Sequence, residues 1–215
     1  MDRICLKLYD GTPQYVCTAC RHCTSTYGKS MCKVKNRGCC WYFPKFTLFE
    51  VHKMSRSNVG RKILSYICSI KTAKIYNYYI HVKGYFDKIG LKKYLDTEEC
   101  YENDVKDKSI FFRLCPFVKS REGCTLPQQY RSYVCNFFVC DDIKKKLKKH
   151  NEFNDYVSEC SRYARWVNWE NYSLEHILEE NKLNLIDNFK GAVELLSSIP
   201  IENCEVKNLK EIEVL

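Results

Sequence analysis

The sequence has no apolar run approaching the length of a membrane-spanning helix. Its opening, Met1-Asp2-Arg3-Ile4-Cys5-Leu6-Lys7, lacks the long apolar stretch of a secretory signal, so the expected compartment is the cytoplasm, with no membrane partner. No self-similar period of solenoid type is present. No P-loop, paired carboxylates or Ser-His-Asp set stands out, which leaves the common hydrolytic and nucleotide-binding chemistries without residues to carry them. One spacing is also missing: after Cys17-x2-Cys20-x2-Cys23 there is no further C-x2-C, so a zinc site built from two such knuckles is not expected.

What is abundant is cysteine, 15 in 215 residues. In a reducing compartment, closely spaced thiols read as metal ligands or catalytic groups, and the odd count weakens a complete disulfide scheme. With 45% hydrophobic and 14% aromatic residues the chain is globular, long enough for one core or for one core with a helical appendage. The net charge of +9 invites nucleic acid. Metal-bound thiolates would reduce that charge, however, and the Lys, Ile, Asn and Tyr richness also fits AT-rich coding; nucleic acid is an open partner, not the favoured one.

Residues 1–140 read as a cysteine-cluster core and 141–215 as a helical C-terminal region packed on it or linked to it. The first 40 residues read as loop-rich. Thr47-Leu48-Phe49-Glu50 is a capping box, with Phe46 and Val51 in the staple positions, so a helix starts there. Val59, Ile63, Ile67 and Ile70 predict a second helix. Ile110 to Leu114 reads as a short buried strand. Phe153, Tyr156, Val157, Cys160, Tyr163, Ala164 and Val167 share one helical face, Ser173 is placed to cap the next helix, and Ile186, Phe189, Val193 and Leu196 mark a third. The expected fold is mainly α, with irregular metal-anchored loops and room for a small sheet.

Three thiols at the spacing of Cys17, Cys20 and Cys23 can converge on one centre, and Cys115-Pro116 offers the remote fourth ligand usual in ferredoxin-type clusters. Of the adjacent pair Cys39 and Cys40, one would bind while the other packs, because successive side chains diverge. Cys124 and Cys135 complete a second block. Cys32 and Cys140 lie near the clusters without the clear spacing, and His22 sits between ligands with its ring turned elsewhere. Cys68 and Cys160 fall on apolar faces and read as core. The run Lys144 to Lys149 reads as a solvated helix face; Tyr76, Tyr78 and Tyr79 read as core or pocket lining before base stacking.

Taken together, Cys17, Cys20, Cys23, Cys39 and Cys40, followed by Cys115-Pro116-Phe117, Gly123-Cys124 and Arg131 to Cys135, resemble the CxxCxxCC cysteine-cluster family (YkgJ-like), described as zinc- or iron-chelating proteins. The resemblance covers about residues 15–140. It departs in the late position of the Cys39-Cys40 pair, in Ser132 where the family has Pro, and in a Cys124–Cys135 gap one residue long of the pattern. It implies metal binding at Cys17, Cys20, Cys23, Cys39, Cys40, Cys115, Cys124 and Cys135. The close-plus-remote thiol pattern favours a 4Fe–4S iron–sulfur cluster in a redox or redox-assisted role, with zinc as the alternative metal. A second function is a zinc-stabilised binding module contacting nucleic acid or an acidic protein. A third follows from relatives that are lysine methylases, which would need S-adenosylmethionine, although no Gly-rich loop supports it.

Overall fold

The computed structural model describes residues 2–9, 12–18, 25–34, 37–97, 105–119 and 122–214. In chain order the elements are β1 (Asp2–Tyr9), β2 (Thr12–Cys17), β3 (Lys45–Thr47), α1 (Leu48–Ser55), α2 (Asn58–Ser69), β4 (Ala73–Tyr76), β5 (Tyr79–Val82), β6 (Tyr85–Phe86) and α3 (Lys88–Asp96). Then follow β7 (Arg113–Leu114), β8 (Val118–Lys119), β9 (Gly123–Cys124), α4 (Tyr133–Phe137), α5 (Asp141–Leu147), α6 (Glu152–Glu180), α7 (Phe189–Ser198) and β10 (Ile212–Val214).

The mainly α expectation is therefore corrected: the fold is mixed α/β, with four small sheets among the described residues. The largest error lies at the N-terminus, expected to be loop. There β1 is the central strand of a β10-β1-β2 antiparallel sheet, with Tyr9 paired to Thr12 and Ile4 to Ile212. Ile4, Cys5 and Leu6 are all buried, so the strand shows no in-out alternation to betray it. A hairpin signal does exist in the sequence, since Asp10-Gly11 separates the paired Tyr9 and Thr12.

A second three-stranded sheet, β3-β5-β4, places Phe46, Ile80 and Ile75 in one register row facing the core. At its edge Thr47 ends the strand and starts α1. Its N–H donates to the Glu50 carboxylate at 2.7 Å and its hydroxyl donates to the same group. Phe46 and Val51, the staple pair, are both fully buried. In α2 the buried stripe is Gly60, Leu64 and Ile67, while Val59 is exposed; the helix is turned by one position from the expected face. Residues 108–112 form a 3-10 turn, and only Arg113 and Leu114 of the expected strand pair, with β6.

The main core joins α1, α2 and the β3-β5-β4 sheet to Tyr163, Val167, Leu174 and Leu178 of α6 and to Ala192 and Leu196 of α7. Helix α6 runs 29 residues without a break, so Ser173 caps nothing: Leu174 and Leu178 continue the buried stripe through it. Ile186 precedes α7 and is exposed. A second cluster packs Ile4, Cys5 and Leu6 against Leu147, Tyr156 and Ile212. The Lys144 to Lys149 run lies largely in α5, its lysines exposed and Leu147 buried, as expected of a solvated face.

Candidate functional site

Two glycines in left-handed backbone deliver cysteines to one place. Gly38 (φ 60°) precedes Cys39-Cys40 in a turn, and Gly123 (φ 82°) precedes Cys124 in β9; an L-residue would be strained at either. Cys115 follows β7, its N–H donating to the Cys40 carbonyl at 2.8 Å, which ties the two blocks together. Cys135 lies on α4. These five cysteines line a single cavity of about 120 Å³, walled by Trp41, Tyr42, Phe46, Phe117, Leu126 and Phe138.

The thiols are differently held. The backbone N–H of Phe117 donates to the Cys115 sulfur and that of Leu126 to the Cys124 sulfur, the same donor two residues on in each case. Burial nonetheless pushes the Cys115, Cys124 and Cys135 thiols up, and their neighbouring thiolates add to this. Cys40 behaves oppositely. The Cys39 thiol donates to its sulfur and, against the cost of burial and with the Arg131 and Arg37 guanidiniums, lowers it to about 7.

Both guanidiniums are fixed by backbone. Arg131 donates to the Leu126 carbonyl at 2.9 Å and to the Cys124 carbonyl at 3.3 Å. Arg37, only 4% exposed, donates to the carbonyls of Arg113, Tyr27, Gly38 and Ile110. Burial lowers it to about 10, and the nearby Cys32, Cys40 and Cys39 sulfurs oppose that. Arg37 thus places a buried positive charge beside the Cys32, Cys39 and Cys40 sulfurs. Arg37 carries no motif in the sequence; its role is legible only once residues 27, 38, 110 and 113 are brought around it.

Glu50 reaches the same region from the core. Fully buried, its carboxyl is pushed up by burial while Thr47 and the Tyr133 N–H (3.4 Å) stabilise the ionised form. It thereby links the start of α1 to the start of α4, the helix bearing Cys135.

Of the sequence-predicted ligands, Cys39, Cys40, Cys115, Cys124 and Cys135 are brought together. Cys17 ends β2, opposite Ile4, and packs against the second cluster. Cys20, Cys23 and His22 lie outside the described residues. Cys32 is buried with its thiol toward the Phe111 carbonyl at 3.7 Å, and Cys140 stands at the N-cap position of α5 without a side-chain capping bond. Among the described residues, no group of three or more His, Cys, Asp or Glu side chains is placed to hold a metal ion. No helix among them is long and apolar enough to cross a membrane. No family model matches the chain, and no curated protein or solved structure matches it.

Proposed function

We propose that this chain is a cytoplasmic cysteine-cluster metalloprotein in which Cys40, Cys115, Cys124 and Cys135, with Cys39 beside them, hold an iron–sulfur cluster in a redox or redox-assisted role. The observation that carries the reading is the convergence of five thiols from distant stretches on one cavity with two amide donors and two fixed guanidiniums.

The donor set fits the group. Sulfur-only ligation suits iron–sulfur clusters and zinc alike, and hydrogen bonds to the sulfurs are a known lever on cluster potential. A cavity of about 120 Å³ has room for several water-sized atoms. When bound, the cluster would supply one-electron transfer. The chain's own part is to stabilise charged sulfur through the Phe117 and Leu126 N–H groups and Arg131, and to exclude water with Trp41, Phe117 and Phe138. The excess of cysteines leaves room for a second centre.

The test is elemental analysis and acid-labile sulfide on protein purified without oxygen. Iron and sulfide in equal amounts, with a brown colour, are expected. A colourless protein carrying stoichiometric zinc and no sulfide would reject the cluster and promote the zinc-stabilised binding module.

A further inference from the structure

The β3-β5-β4 sheet has a second face. Register rows that alternate with the core-facing row place Lys45, His81 and Lys74 side by side across the three strands, and Thr47, Tyr79 and Tyr76 side by side two residues along. These six residues therefore share the face turned away from Phe46, Ile80 and Ile75. None of the six is buried, the two lysines are exposed, and no carboxylate occurs in either row.

The two tyrosine rings are stacked, with centroids 4.5 Å apart and planes 14° from parallel. Lys45 holds its ammonium 5.3 Å from the Tyr79 centroid, and Lys74 holds its own 5.7 Å from that of Tyr76. Lys83 continues β5 with the same parity as His81 and is exposed. Acid touches the face at two margins: the buried Glu50 carboxylate accepts from Thr47, and beyond the hairpin tip the Tyr78 hydroxyl donates to Glu179 at 3.2 Å. The basic surface thus begins at the tyrosines and extends toward Lys83.

We propose that this outer sheet face binds single-stranded nucleic acid. The rings cover each other's inner faces and the lysine ammoniums lie over them, so a base would stack by displacing a flexible lysine, which frees its ammonium for the adjoining phosphate. An acidic peptide would satisfy the lysines and leave the tyrosine stack without a role, which is why nucleic acid is the occupant. The six positions span about 10 Å across the strands, a footprint of a few nucleotides. The face is separate from the cysteine cavity, and none of its residues lines that cavity.

The experiment is fluorescence anisotropy with short labelled oligouridylate and oligothymidylate over a salt series, using the full metal-loaded chain. Wild type is expected to bind at low salt. Tyr79→Ala should weaken binding by about 10-fold or more, and Tyr79→Phe should stay within about 3-fold of wild type. Lys45→Gln with Lys74→Gln should reduce the slope of log affinity against log salt by about 1.4. Unchanged metal content and melting temperature in each variant separate this result from any failure at the cysteines. No binding of either oligonucleotide by wild type overturns the proposal. So does equal binding of polyglutamate that is indifferent to Tyr79→Ala.

Discussion

Two populations of cysteine share this molecule. Cys68 and Cys160 pack among apolar side chains, and burial pushes their thiols up to about 11 and about 12. Cys40, in the cavity, is brought down to about 7 by the Cys39 thiol and two guanidiniums. The residue type is the same and each site is substantially shielded from water. What differs is whether donors and cations outweigh burial: at Cys40 they do, whereas at Cys115, Cys124 and Cys135 in the same cavity burial prevails and the thiols are pushed up. The comparison teaches that cysteine count marks a thiol-rich protein, while the surrounding donors decide which thiols are equipped for chemistry.

The largest effect should come from removing a cavity thiol. Cys115→Ser and Cys135→Ser should each reduce bound metal to near zero by elemental analysis, whereas Cys68→Val and Cys160→Ala should leave it stoichiometric. Metal loss in all four variants would break the partition. In chelator-treated native protein at neutral pH, iodoacetamide should label Cys40 at least about 100-fold faster than Cys68, read by peptide mass spectrometry. The Cys40 rate should rise with pH through about 7.

The buried cation comes next. Arg37→Met removes the guanidinium from the carbonyls of Arg113, Tyr27, Gly38 and Ile110, the last of which keeps the Arg113 N–H, and should cost about 3 kcal/mol in urea denaturation. A cost near zero would mean that the guanidinium is not needed to join the two cysteine blocks.

Cys40 and Cys68 should also respond oppositely to pH in the metal-free protein. Cys40 has a folded pKa depressed from 9.0 to about 7, so its contribution to stability is complete above pH 9.0 and is lost as pH falls through about 7. Cys68 is raised from 9.0 to about 11, so its contribution is complete below pH 9.0 and is lost as pH rises through about 11. Denaturation midpoints of Cys40→Ser and Cys68→Val against pH should diverge from wild type at opposite ends. The smallest effect sharpens the core side of the comparison: Cys68→Val should cost less than about 1.5 kcal/mol, since it exchanges one small buried hydrophobe for another.

Parts of this were legible in the chain. The capping box at Thr47 and Glu50 was readable because its partners lie three residues apart and the geometry is local. The spacing of Cys115, Cys124 and Cys135, each with a glycine, proline or cap nearby, marked the second block of the candidate site. The N-terminal sheet is not legible because Ile4, Cys5 and Leu6 bury in succession and because β10 arrives from more than 200 residues away. The break expected at Ser173 fails for the opposite reason: tertiary contacts at Leu174 and Leu178 carry the helix past a residue that would suit a cap.

By itself the sequence determined the start of α1 at its capping box and the wealth of thiols, because spacing and residue type act over a few bonds. The tertiary structure decided the rest. It selected Cys39 and Cys40 to meet Cys115, Cys124 and Cys135, and it surrounded Arg37 with four carbonyls from separate turns. It also set Lys45, His81 and Lys74 in one row on the outer face of a sheet. Each of these depends on closing loops of tens of residues against their entropy, and only the packing of a common core supplies the free energy to do so.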